Sequence, residues 1–168
     1  MSNFKEVNIR DIKENGVSLI ADRYMLITAG DEKEYNMMTG SWGFIGEMWN
    51  KDIIIPVVRP QRHTFKFLEE QDCFSICFFS GETSKNVHKI CGSKSGRDIN
   101  KTEATGLTPV FDKNTVYFEQ ADIVLICKKV YVSDINPDNF IDKSLDENYN
   151  NDYHRCYMGE ILHTFVKE

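Results

Sequence analysis

The sequence predicts a mainly β protein with a few short helices, its antiparallel strands closed into a barrel. Roughly six segments carry the alternating or continuously apolar pattern of strands. The helical patterns are short and never alternate βαβα, which disfavours a doubly wound parallel sheet. The chain has 168 residues, 41% of them hydrophobic and 12% aromatic, enough for one domain over residues 1–168 with a real core. No linker, repeat or low-complexity tract divides it.

Taken in order, Arg23–Gly30 ("RYMLITAG") reads as a strand stopped by Gly30. "NMMTGSWG", from Asn36, reads as its hairpin partner across the polar connector "DEKEY". "DIIIPVV" (Asp52–Val58) is too continuously apolar for a surface strand, while Pro56 lacks a ladder donor and argues for an edge or a bulge. In "HTFKFLEEQ", Thr64 is expected to cap a short helix whose apolar side carries Phe67 and Leu68. "CFSICFF" is a core strand. "SKNVHKICG" suggests a second helix, capped at Ser84 and stopped by Gly92, with the polar turn "SKSGRD" after it. Ala121–Ile135 is the longest β pattern, with both faces apolar for most of its length. "NPDNFIDKSLDENYNND" has loop composition, and Tyr153–Val166 returns as a final strand containing Gly159.

Charge and cysteine content restrict the function classes. With 26 acidic against 20 basic residues the net charge is -6, which disfavours general attraction to nucleic acid or to an anionic membrane. The first residues lack a secretion signal, and no apolar run approaches the roughly 20 residues that span a bilayer, so a soluble cytoplasmic protein is expected. The five cysteines have no paired Cys-x-x-Cys spacing, which makes a zinc site improbable and fits reduced thiols. Cys73 and Cys77 on one strand face would stand about 13 Å apart, too far to bond. Cys91 reads as a buried, inert thiol, or as a reactive one if an anion site lies nearby.

The stretch Asn36–Phe65 carries the chemistry. Arg59 and Arg62 flank Pro60 between a buried strand and a helix start, an arrangement that suits a phosphate, with Thr64 adding a hydroxyl. The same arginines would also be explained by pairing with some of the acids. Lys94, Ser95, Gly96 and Arg97 form a second basic turn that by itself reads as a surface loop. Trp42 and Trp49 fit the rim of a core. With Gly40, Gly43 and Gly46 between them, and with Asn36, Thr39, Ser41 and Asn50 as uncharged donors and acceptors, they also suit a flat ring such as an isoalloxazine. No Gly-x-Gly-x-x-Gly after a strand, no P-loop and no Ser/His/Asp order is present.

Five fragments, "NMMTGSWG", "WNK", "VRPQRHT", "CGSKSGRD" and "DYHRCYMGEI", resemble in this order and spacing the flavin reductase-like proteins of the flavoredoxin group, over about Leu26–Ile161. The resemblance implies an FMN-binding split β-barrel, a homodimer, and FMN held without a covalent link near the subunit interface. It implies that Asn36, Thr39, Ser41 and Trp42 lie along the flavin ring and ribityl chain, with Asn50 close by. Arg59, Arg62 and Thr64 match the phosphate side, and Lys94 with Ser95 the turn that closes over it. His154 and Phe165 match an outer edge that a second subunit would supply. His63 stands where such proteins often have tyrosine, and Asp52 where proline is common. The resemblance implies an NAD(P)H-dependent flavin reductase, or else a carrier that keeps FMN and exchanges electrons with a redox protein partner. An FMN-binding module without turnover is the third class. No nicotinamide motif is recognisable.

A final expectation concerns assembly. Phe74, Phe78, Phe79, Tyr117, Phe118, Tyr131, Tyr153, Tyr157 and Phe165 lie in strands with two apolar faces, whereas a small barrel has one inside. An obligate homodimer with the final strand near the shared surface is expected to cover the remainder.

Overall fold

The computed structural model describes residues 3–168. After β1 (Phe4–Val7) and helix α1 (Gly16–Ala21), the expected hairpin forms from β2 (Met25–Gly30) and β3 (Tyr35–Gly40), in register from Met25↔Gly40 to Gly30↔Tyr35. β4 (Gly43–Met48) and β5 (Lys51–Val58) form a second hairpin. Its two-residue turn, Trp49–Asn50, has φ of 58° and 56°, the left-handed pair that matches strand twist in tight hairpins. Helix α2 (Thr64–Glu70) leads to β6 (Cys73–Phe78), and helix α3 (Gly81–Ser93) to α4 (Lys101–Thr105). A small hairpin of β7 (Pro109–Asp112) and β8 (Thr115–Phe118) precedes the long strands β9 (Ile123–Asp134) and β10 (Arg155–Lys167).

All strands of the main sheet pair antiparallel, in the order β3-β2-β6-β9-β10-β5-β4, with β1 on the far half of β10. The two ends of that path, β3 and β4, are consecutive in the chain and joined only by Ser41 and Trp42. A two-residue link reaches only about 10 Å, so the sheet must curl until its edges nearly meet. The result is an antiparallel split barrel, as the sequence predicts, with its split beside Ser41 and Trp42.

Several local expectations are corrected. β5 is an interior strand between β4 and β10, not an edge. Pro56 is accommodated because the β10 ladder lapses between Val57↔Cys156 and Ile54↔Gly159, so no donor is required of it there. Thr64 is the first residue of α2 rather than its cap, and its hydroxyl accepts a hydrogen bond from Asn36 instead. α3 starts at Gly81, before Ser84, because Gly81 at φ 58° turns the chain out of β6. Gly92 lies inside its last turn, and the helix stops where Lys94 becomes extended. Nothing in the sequence pattern marked β1, α1, β4, α4 or the β7–β8 hairpin.

The apolar residues divide between two cores. Inside the barrel, Ile27, Phe74, Ile76, Phe78, Leu125, Cys127 and Tyr157 pack with Phe67 and Leu68 of α2. On the opposite face, Leu26, Cys77, Val124 and Ile126 pack with Val87 and Cys91 of α3 and with Tyr117 and Phe118 of β8. This corrects the reasoning about a second apolar face: α3 and the β7–β8 hairpin of the same chain cover most of it. Phe165 packs on Phe4 and Tyr117, and Tyr153 stacks on Tyr149. Tyr131 alone of the named aromatics stays open, beside Trp49. Among the described residues no helix is long and apolar enough to cross a membrane.

Candidate functional site

The split in the barrel opens into a cleft of about 320 Å³, lined by Thr39, Gly40, Ser41, Trp42, Val57, Arg59, Gln61, Arg62 and His154. Trp42 sits on the connector between β3 and β4, which bridges the split, and the residue is 48% exposed. It lies 5.3 Å from the His154 ring and 6.5 Å from that of Tyr149. Tyr149 belongs to the strap 136–152, which crosses one side of the cleft. Arg59 donates to the Asn148 carbonyl at 2.8 Å, and its guanidinium lies 5.5 Å from the centre of the Tyr149 ring.

Gln61 and Arg62 also line a second pocket of about 290 Å³, together with His63, Thr64, Lys94, Ser95, Gly96, Arg97 and Lys101. α2 and the turn after α3 meet here. Asn36 on β3 is buried and donates to Thr64 Oγ1 at 2.8 Å, which ties the strand to the helix start. Arg97 donates to the Gln61 carbonyl at 3.1 Å and ties the basic turn to the same place. Among the described residues, no carboxylate lines the second pocket, whereas at the first Asp152 accepts from Gln61 Nε2 at 2.6 Å and lies 3.8 Å from the Arg59 guanidinium.

The electrostatics favour an anion and neutral imidazoles. Burial lowers the Arg62 pKa, and Arg59 adds to that direction. Burial brings His154 down to about 4, helped by Arg59 and opposed by Asp152. His88, whose Nδ1 lies 3.0 Å from Thr39 Oγ1, is also held at about 4 by burial. His154 Nδ1, His63 Nδ1 and His88 Nε2 are buried without a partner among the described residues. A buried nitrogen of this kind has lost its water, and a ligand polar atom would restore the bond.

Ten of the twelve candidate residues border these pockets or brace their walls: Asn36, Thr39, Ser41, Trp42, Arg59, Arg62, Thr64, Lys94, Ser95 and His154. Arg59 lines the Trp42 end and not the cationic pocket. Asn50 lies away from both, in the β4–β5 turn, where its left-handed backbone serves the hairpin. Phe165 lies on β10 in the outer aromatic packing. Two residues escaped the sequence reading. Tyr149 was hidden in a segment of loop composition. Lys101 had one available signal: it follows Asn100, whose side chain caps α4, so a cation stands at the positive end of a helix where none is favoured.

Comparison with known proteins identifies the family and agrees with the fold. The model of the flavin reductase like domain family matches residues 17–168. No curated protein sequence matches the chain. Among solved structures, an FMN-binding domain of a flavin reductases-like enzyme from Shewanella baltica superposes with a TM-score of 0.71 at 16% identity, covering 99% of this chain and 78% of that one. A flavoredoxin of Desulfovibrio vulgaris (Miyazaki F) gives 0.68 at 19% identity, covering 98% and 76%. An NADH:FAD oxidoreductase of Streptomyces globisporus gives 0.63 at 12% identity, covering 85% and 74%. Because the family model runs through every strand from β2 to β10 and through both arginines of the cleft, the chain belongs to the flavin reductase-like family.

Proposed function

We propose that the protein binds FMN non-covalently across the two joined pockets and acts as an oxidoreductase that takes electrons from NAD(P)H and passes them on. The observation behind this reading is the division of the site: an exposed indole with hydroxyl and amide groups at one end, and cations without a carboxylate at the other. FMN has the same division into flat ring, hydroxylated chain and phosphate. When bound, it supplies the redox chemistry, and the protein's part is to position and tune it. Thr39, Ser41 and Trp42 flank the ring and the ribityl chain. Arg62, Thr64, Lys94 and Ser95 hold the phosphate, and Asn36 braces Thr64. His154 stays neutral beside Trp42 and offers a hydrogen bond rather than a charge. Arg59 steadies the strap at the ring end.

Likeness to the flavoredoxin supports a second reading, a carrier that keeps FMN and exchanges electrons with a redox protein. The test is anaerobic mixing of the yellow, FMN-loaded protein with NADH or NADPH. Rapid bleaching by either nucleotide is the expected result. Bleaching only by a reduced protein partner would favour the carrier, and a preparation that stays colourless in excess FMN would overturn both.

A homodimer belongs to the same proposal. Trp49 and Tyr131 are in contact and both exposed, with Met48 exposed next to Trp49, so apolar surface lies open at the β4–β5 turn, and a two-fold contact there would bury it. Asn50 is in that turn and would face a second subunit. Light scattering on loaded protein is expected to give about twice 19.5 kDa, and a mass of 19.5 kDa would refute the dimer. Five free cysteines suit a reducing cytoplasm.

A further inference from the structure

Thr39 lines the cleft, and its hydroxyl is tied to a residue behind the cleft wall. Its Oγ1 lies 3.0 Å from Nδ1 of His88, which reaches across from α3 to β3 at the end of the sheet. The His88 ring is wedged between Tyr24, at 5.6 Å and 89°, and Phe79, at 6.4 Å and 72°, both edge-to-face. It is half-buried, and its Nε2 completes no hydrogen bond among the described residues. Packing between two aromatic rings would be served as well by a third. What packing leaves unexplained is an imidazole whose one hydrogen bond among the described residues goes to a residue of the cleft.

A neutral imidazole has one N–H and one bare nitrogen, and the ring's neighbours decide which is which. Burial lowers the pKa of His88 to about 4, so the ring is neutral at neutral pH, and the Arg23 backbone opposes that shift. A backbone group acts in that direction when its carbonyl faces a ring N–H. With Nδ1 engaged by Thr39, the hydrogen belongs on Nε2. Nδ1 is then an acceptor, and the Thr39 hydroxyl donates to it. A hydroxyl has a single hydrogen, so lone pairs are what Thr39 has left for the cleft.

We infer that His88 is a positioning residue: it makes the Thr39 hydroxyl a fixed acceptor at the ring end of the cleft and so favours reduced flavin over oxidised flavin. This deepens the reading above and rests on it. Two electrons and a proton convert a bare ring nitrogen of oxidised flavin into an N–H. A fixed acceptor suits the ring after that change, whereas a hydroxyl free to rotate could donate to the ring before it. A purely packing role for His88 makes a different prediction: its loss would weaken both oxidation states alike.

The experiment compares wild type with His88→Phe, which keeps an aromatic ring but removes the acceptor, and with Thr39→Val. His88→Asn, whose amide oxygen can take the place of Nδ1, serves as the conservative rescue. Midpoint potentials of the FMN-loaded proteins are measured beside affinities for oxidised FMN and the ligand-free thermal midpoint. Loss of one neutral hydrogen bond predicts that His88→Phe holds reduced FMN about 2- to 10-fold less tightly relative to oxidised FMN, a potential about 10–30 mV more negative. Thr39→Val should move the potential in the same direction, and His88→Asn should recover most of the wild-type value. Combining His88→Phe with Thr39→Val should shift it no further than Thr39→Val alone. An unchanged potential in His88→Phe would overturn the assignment, as would shifts that add in the double variant. If His88→Phe does not fold, failure of Thr39→Val to lower the potential overturns it. Nitrogen NMR of the imidazoles gives an arm without flavin: wild type should carry the His88 hydrogen on Nε2, and the opposite tautomer would overturn the proposal whatever the potentials. If wild type binds no FMN, the FMN reading and the preference for reduced flavin fail together, while the tautomer still decides whether Thr39 is the acceptor.

Discussion

Gly96 and Asn36 fit so closely that a Cβ on Gly96 would stand 2.1 Å from Asn36 Oδ1 and 2.8 Å from its Cγ. Asn36 cannot swing aside cheaply, because it is buried and bonded to Thr64. Gly96→Ala should therefore separate the basic turn from β3, at a cost of about 1–3 kcal/mol in stability. FMN affinity is expected to fall at least about tenfold, since 1.4 kcal/mol corresponds to a factor of ten. Gly92→Ala is the control: its Cβ would meet Thr39 at an ordinary 3.7 Å inside α3, so stability should rise by about 0.5–1 kcal/mol. Thermal melts and flavin titrations on the two variants check both statements. A stable, fully binding Gly96→Ala protein would refute the first.

The strap depends on Tyr149, which is buried against Tyr153, Phe140 and His154 and lies under Arg59. Tyr149→Ala should cost about 3 kcal/mol, by analogy with other buried aromatic truncations. It should also expose segment 136–152 to limited proteolysis. Because the strap touches the Trp42 end, FMN and riboflavin should weaken together, unlike the pattern expected from loss of Arg62 at the phosphate end. Selective loss of FMN alone would show that Arg59, once released, belongs to the phosphate side.

The chain has two tryptophans, which makes the ring site visible in solution. Trp42 lines the cleft, whereas Trp49 lies in the β4–β5 turn against Tyr131. Adding FMN should quench intrinsic emission in wild type. In Trp42→Phe most of that quenching should disappear, while in Trp49→Phe it should persist. The reverse pattern would move the flavin away from the split.

Two desolvated imidazoles, one buried and one half-buried, predict acid sensitivity. The folded protein holds His88 and His154 at about 4, against 6.5 for the ordinary side chain. Their stabilising contribution is therefore complete above about pH 6.5 and is lost as the pH falls towards 4. Between pH 6.5 and 5, above most carboxylate titration, each should reduce stability by up to about 1.4 kcal/mol per pH unit. Denaturant unfolding across that window should show the slope, and His88→Gln should make it shallower. A flat profile in wild type would mean that both rings protonate freely in the folded state.

What the sequence determined by itself was whatever depends on near neighbours in the chain. The two apolar faces of Ile123–Cys127 follow from period-two alternation, and they lie in the two cores as that pattern requires. The β2–β3 hairpin, the existence of two short helices near Thr64 and Ser84, though not their starts, and the absence of βαβ units were legible for the same reason. Trp42, Arg62 and Ser95, each in a fragment that carries the family resemblance, line the two pockets. Tertiary structure decided what depends on residues distant in sequence. Pro56 argued for an edge, yet the gap opposite it in β10 let β5 sit inside the sheet. The outer aromatic face suggested a partner, yet α3 and the β7–β8 hairpin cover most of it, and no local pattern announces which segment will pack there. Tyr149 packs behind Trp42 and His154 only because the strap folds back over Arg59, 90 positions away in the chain. Lys101 is buried because the fold brings it, with Arg62, onto the Cys91 carbonyl, a meeting of distant segments that no local pattern announces.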